Sequence, residues 1–165
     1  MSGQLNTMSS IYEKLVALLD REGARYRVIE HPAEGRSDLV AAIRGTSPGQ
    51  GAKAMLCRGK DAGQALILAI LPGDRKLDFK KVAAAAGLKK ATLASADEAQ
   101  HETGCAIGAI PPFSFSSAIK LIVDPDLIGS FDEIAFNAGR LDRSIVLSSA
   151  DYVRIANPLL QPLCV

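Results

Sequence analysis

Lys53 opens an otherwise apolar run, Ala52-Lys53-Ala54-Met55-Leu56-Cys57, directly after Gly49-Gln50-Gly51. An ammonium in that setting either snorkels out at a sheet rim or points into a cleft, and the local sequence does not choose between the two. In a cleft, a compact ammonium suits a phosphate, a carboxylate or a developing oxyanion. Further along stands Gly104-Cys105-Ala106-Ile107-Gly108-Ala109-Ile110-Pro111-Pro112-Phe113, where the thiol is the only group that titrates near neutral pH. Glycine lets backbone approach a ligand closely and proline fixes φ, so this loop offers main-chain N–H and C=O groups rather than side chains. The two stretches together read as a site that holds a polar ligand by its backbone beside one fixed positive charge.

Other chemistries find less support. Gly-x-Ser-x-Gly is absent, which removes the usual signal for a serine nucleophile on an elbow. Gly45 to Lys53 imitates a phosphate-cradling loop, but Ala54 stands where that motif needs Ser or Thr. Cys105 sits beside glycines after a helix, yet a lone cysteine is more often a small buried hydrophobe than a nucleophile. His31, at a strand end before Pro32, is a base, a ligand-orienting group or a structural residue. His31 and His101 are the only histidines, and Cys57, Cys105 and Cys164 are widely spaced. That inventory gives neither a zinc spacing nor a disulfide framework, so no metal and no cofactor is expected, and a reducing cytoplasm is the natural setting.

A chain of 165 residues, 48% hydrophobic and 22% charged, fits one domain with one core. Met1 to Met8 is polar and unpatterned and is expected to be flexible, leaving 9–165 as the domain. It lacks the basic start and apolar run of a signal peptide. The longest apolar run, Ala65 to Leu71, is strand-sized, so no membrane span is expected. Net charge is +1, yet Arg75, Lys76, Lys80, Lys81, Lys89 and Lys90 cluster against Asp78 alone. Such a stretch is either a solvated helix face or a patch for a phosphate backbone.

The elements that must position these residues follow from pattern. Ser10 and Glu13 have capping-box spacing before an apolar stripe that Gly23 ends. Tyr26 to His31 reads as a strand, and Asp38 to Arg44 as a short helix capped by Ser37. Ala52–Arg58 and Ala65–Leu71 read as an antiparallel hairpin. The second run is apolar throughout, so both its faces should be covered. Asp78 to Ala86 is helical and Ala91 to Ala94 a short strand, while Ser95 caps a helix ending at Gly104. Ala118–Val123, Glu133–Asn137 and Ser144–Leu147 read as strands, and Ser149 as the cap of a last helix through Ile155. Six or seven strands interspersed with four or five helices imply an α+β or mixed α/β single domain.

In order, these residues resemble a known family. They are the lysine after a Gly-rich loop, Leu71-Pro72-Gly73-Asp74, Leu93-Ala94-Ser95, Thr103-Gly104, Gly108 to Phe113, Asp124-Pro125 and Asn137-Ala138-Gly139. The pattern is similar to the YbaK/prolyl-tRNA-synthetase-associated domain over roughly Tyr26 to Asn157. Ile43 to Lys53 and Phe131 to Asn137 most resemble its free-standing YeaK-type branch.

The resemblance implies a mixed six- to seven-stranded, partly barrel-like sheet with flanking helices. It implies trans-editing, the hydrolysis of the ester joining a wrong amino acid to a tRNA 3′ end. It makes Lys53 the essential basic residue. Gly108, Ala109, Ile110, Pro111 and Pro112 become the loop that positions the aminoacyl group, with His31, Asn137 and Gly139 as further matches. The partner is then the acceptor end of a mischarged tRNA, docked by the basic stretch, with transient association with a synthetase and a monomeric state expected. Ser114 and Ala54 depart from the family's frequent Gly and Thr, which bears on amino-acid choice more than on reaction type. Small and branched lining residues suggest Ser, Thr or Ala as the misattached amino acid. A non-catalytic module binding the tRNA end and a hydrolase of simple esters are the rival readings.

Overall fold

The structure is a computed structural model that describes residues 10–60 and 65–165. The flexible segment expected at 1–8 and most of the hairpin turn therefore lie outside the described residues.

In chain order the elements are α1 (Ile11–Arg21), β1 (Tyr26–Glu30), α2 (Ser37–Arg44), a 3₁₀ turn (Pro48–Gln50), β2 (Ala52–Gly59), β3 (Leu66–Pro72) and α3 (Phe79–Ala86). There follow β4 (Ala91–Leu93), α4 (Ala96–Thr103), β5 (Ile119–Val123), α5 (Pro125–Ser130), β6 (Glu133–Arg140), β7 (Arg143–Ser148), α6 (Ser149–Ala156) and β8 (Leu159–Leu160). The expected hairpin, helices and helix caps recur with shifts at the ends. Ser10 and Glu13 close a reciprocal capping box on α1, and Asp78 and Ser95 cap α3 and α4. The last helix is capped by Ser148 rather than Ser149, whose hydroxyl donates to Phe131 O at 2.6 Å. For α2 the cap position is Arg36, with no side-chain bond, and Ser37 is already helical. The sequence reading missed α5, the 3₁₀ turn and β8, because each is too short to show a period.

The strands form two sheets. One is antiparallel, in the order β1-β7-β6; the other is mixed, in the order β4-β2-β3-β5-β8. A single parallel bridge, Gly51 to Ala135, links them at the start of β2 and gives the partial closure expected of a barrel-like sheet. Leu56, Leu68, Ile70, Ile134, Phe136, Ile145 and Leu147 meet between the sheets, with Leu15 and Leu19 of α1 packed on them. Cys57, Ile67, Ala69 and Ile122 face the opposite side of the five-stranded sheet and bury Val82 of α3 and Leu163. Strand β3 is therefore covered on both faces, which is why its run carries no polar residue.

Candidate active site

A cavity of about 180 Å³ opens where the two sheets join, lined by α2, the start of β2, the 107–110 loop and β6. Its wall on β2 is backbone. The bonds Gly73 N to Gly51 O (2.8 Å) and Gly59 N to Ala65 O (2.9 Å) fix the odd-numbered residues of β2 as those paired with β3. Antiparallel alternation then turns the main-chain groups of Ala54 away from β3. Strand β4 pairs with β2 only from Cys57 onward, so the edge at Ala54 is open to the cavity.

Lys53, Gly108, Ile110 and Asn137 all line this cavity. Lys53 is half-buried, and its Nζ donates to Arg75 O at 2.6 Å. It lies on the face of β2 opposite Ala54, because side chains alternate along a strand. Burial holds its pKa below the ordinary lysine value, with Cys164 and Asp74 acting against that shift. The turn that carries Arg75 comes this close because Gly73 has no side chain: a β-carbon there would lie 2.6 Å from Pro48 O. Gly108 is equally constrained. Its φ is +89°, and a β-carbon would meet the backbone of Gly35 at 2.9 Å.

Behind the cavity runs a polar network that the sequence did not signal as a unit. Arg44, at the end of α2, donates from Nε to Ser144 Oγ at 2.6 Å and from Nη2 to Asn137 Oδ1 at 3.1 Å. His31 Nε2 lies 2.7 Å from Ser144 Oγ, and His31 Nδ1 lies 2.8 Å from Pro32 O. A carbonyl only accepts, so Nδ1 carries the proton, and Nε2 and Asn137 Oδ1, 3.1 Å from Ser144 Oγ, share the single Ser144 hydroxyl proton between them. Asn137 Nδ2 donates to Glu34 O and Gly108 O, both at 2.8 Å, tying the loop to β6. Burial alone lowers the Arg44 pKa, to about 10. No carboxylate pairs with Arg44 among the described residues.

The remaining expected residues lie outside the lining of this cavity. His31 does not line the cavity; it meets Ser144, which in turn bonds the lining residues Arg44 and Asn137. Ala109 O accepts from Gly139 N at 2.9 Å, and Pro112 O accepts from the buried Tyr152 hydroxyl at 2.6 Å, so β6 and α6 hold the loop in place. Pro111 lines a second hollow, beside Phe113 and Ser114. Arg44 was the residue most worth finding. It falls four positions after Val40 and three after Ala41, both buried, so its helical spacing already placed it on the inner face.

The sequence profile of the aminoacyl-tRNA editing domain matches residues 31–155, more than half of the chain. The chain belongs to that family. It is 50% identical over 153 residues to the Multifunctional Ser/Thr-tRNA deacylase ProXp-y of Escherichia coli (strain K12), covering 92% of each chain. It is 27% identical over 104 residues to the proline--tRNA ligase of Kosmotoga olearia, covering 63% of this chain and 17% of the ligase. The crystal structure of hypothetical protein APE2540 superimposes with a TM-score of 0.83 at 23% identity, over 92% of this chain and 99% of that one, a likeness of fold.

Elsewhere in this editing domain, Arg75, Lys76, Lys80, Lys81, Lys89 and Lys90 are all exposed. Arg75 pairs with Asp126 at 3.5 Å, and Lys81 Nζ donates to Cys164 O at 2.6 Å. Cys105 is buried outside the cavity lining, and burial pushes its thiol up to about 11 while a bond to Thr103 acts against that. Among the described residues no cluster of His, Cys, Asp and Glu has a metal-binding arrangement, and no helix is long and apolar enough to cross a membrane.

Proposed function

We propose that this editing domain hydrolyses the ester linking serine or threonine to the 3′ end of a tRNA meant for another amino acid. The observation that carries the reading is the 50% identity, spread over 92% of both chains, with a Ser/Thr-tRNA deacylase. The size of the cavity supports it. An engineered cavity of about 150 Å³ takes benzene, so one of about 180 Å³ takes an aminoacyl group and leaves the nucleotide outside.

An aminoacyl ester is already an activated acyl group. Its hydrolysis needs a held carbonyl, a positioned water and stabilisation of the tetrahedral oxyanion. The open main-chain edge at Ala54 and the backbone of Gly108 to Ile110 hold the aminoacyl group. Lys53 is the nearby fixed positive charge, holding the terminal phosphate or the charged end of the substrate. The ribose hydroxyl next to the ester assists the water, which agrees with a lining that holds no carboxylate or imidazole among the described residues. The exposed basic stretch guides the acceptor stem through charge.

The test is release of amino acid from a panel of mischarged tRNAs, with the same amino acids on simple esters as controls. Hydrolysis of seryl- and threonyl-tRNA, with slow or no hydrolysis of the simple esters, is the expected result. Binding of the tRNA without release under excess protein overturns the reading.

A further inference from the structure

We infer that Arg44 recognises the side-chain hydroxyl of the bound amino acid and so makes the cavity selective for serine and threonine over alanine. The inference rests on the deacylase reading and adds the residue that sets its specificity.

The network around Arg44 orders its hydrogen-bonding capacity in one direction. Arg44 Nε–H points to Ser144 Oγ, the Ser144 hydroxyl has Asn137 Oδ1 at 3.1 Å and His31 Nε2 at 2.7 Å as its two neighbours, and His31 Nδ1–H points to Pro32 O. Asn137 Oδ1 accepts from Arg44 Nη2, and its amide nitrogen donates to two carbonyls. Ser144 is fully buried and Asn137 nearly so, which fixes the guanidinium plane from behind. Each acceptor oxygen of the network already has a donor. What remains for a ligand is donor capacity: Nη1 has no acceptor among the described residues, and Arg44 lines the cavity. Gly51, also in the lining, is a neighbour of Nη1: a β-carbon there would sit 3.8 Å from it, in ordinary van der Waals contact.

A partly buried donor that lacks an acceptor is costly, and a ligand oxygen relieves that cost. Depth decides which oxygen. The guanidinium is anchored on β6 and β7 by the buried Ser144 and Asn137, whereas Ile107, elsewhere in the lining, is exposed, so we take the Arg44 end as the inner one. A phosphate on the nucleotide stays at the outer end for reasons of size, while the side chain of a seryl or threonyl group points to the inner one. A site built to bond a hydroxyl rejects the analogue that lacks it, because the buried donor is then left unpaired. Alanine would fill the same space and leave Nη1 without a partner.

The test compares wild type, Arg44→Met, Arg44→Lys and Ser144→Ala on seryl-, threonyl- and alanyl-tRNA, with thermal unfolding run in parallel. Wild type should favour seryl- over alanyl-tRNA by about 10- to 100-fold in kcat/KM, the range of one charge-assisted hydrogen bond. Arg44→Met should bring that ratio close to one, because the hydroxylated substrates lose a direct bond that alanyl-tRNA never makes and so slow by more than alanyl-tRNA does. Arg44→Lys should keep part of the preference. Should Arg44→Met fail to fold, Ser144→Ala, which frees the guanidinium without removing its charge, must still lower the ratio. An unselective wild type overturns the inference, as does an equal loss on all three substrates in Arg44→Met, which would make Arg44 a general anion holder. Non-hydrolysable amide-linked seryl- and alanyl-adenosine separate the two proposals. Seryl preference in calorimetry that Arg44→Met abolishes supports the inference even if no ester is cleaved, and equal affinities overturn it.

Discussion

Lys53 Nζ donates to the main-chain oxygen of Arg75 at 2.6 Å, which ties a residue of the cavity lining to the turn that begins the basic stretch. The ammonium keeps two further N–H groups for a ligand. Lys53→Ala should lower deacylation by about 100-fold, the scale of a lost oxyanion or phosphate donor, while costing no more than about 1 kcal/mol of stability. An unchanged rate in single-turnover assays would remove Lys53 from the mechanism. The pH profile gives a second check. Burial holds the Lys53 pKa below its ordinary value, so the charged form is present at lower pH and is lost as pH rises through that lowered value. Activity should fall on the alkaline side earlier than for an ordinary lysine.

Gly108→Ala should damage both stability and rate. A β-carbon would lie 2.9 Å from Gly35 Cα and 3.1 Å from Gly35 O, both backbone, at a φ of +89°. The strain of a left-handed alanine alone is about 1–2 kcal/mol, and the clash adds to it. Displacing Gly108 also pulls its carbonyl from Asn137 Nδ2. Urea unfolding and seryl-tRNA hydrolysis measured together should show both losses; wild-type values in both would mean the loop is not held as described.

Cys105→Ala should keep deacylation within about twofold of wild type, because a thiol held that far above its ordinary pKa carries little thiolate at neutral pH. A folded but inactive variant would instead support a covalent acyl intermediate.

Charge reversal at Lys76, Lys80 and Lys90 tests docking of the acceptor stem. Affinity for tRNA should fall, and the slope of log affinity against log salt should flatten by about 0.7–0.9 for each lost phosphate contact. Equal slopes before and after mutation would leave the stretch as a solvated face.

Asp124 couples stability to pH. Burial raises its pKa, but bonds from Leu163 N (2.8 Å) and Asp126 N (2.9 Å), with Cys164, outweigh burial and hold it below the ordinary value. A depressed folded pKa means that its contribution is complete above the unfolded value of about 3.9 and is lost as pH falls through the folded one. Asp124→Asn should cost about 1–3 kcal/mol at pH 7 by urea titration. That difference should shrink in strong acid; a gap independent of pH would show that the carboxylate charge is irrelevant.

Local pattern determined much of this protein. The alternation and capping residues marked α1, β2, β3, α3 and α4, because a period or a capping side chain is written within a few residues. The lysine after the glycines and the Gly/Pro loop were legible for the same reason, and their order along the chain identified the family resemblance. What tertiary structure decided is which of these meet. Arg44 and Ser144 are far apart in sequence, and only the joining of the two sheets at Gly51 and Ala135 puts the guanidinium in the cavity wall, tied to that hydroxyl at 2.6 Å. For His31, whose sequence setting left base, ligand-orienting group and structural residue open, the pairing of β1 with β7 decided its neighbour, Ser144. No local rule encodes such encounters, since hydrogen-bond partners across sheets are fixed by strand order and register.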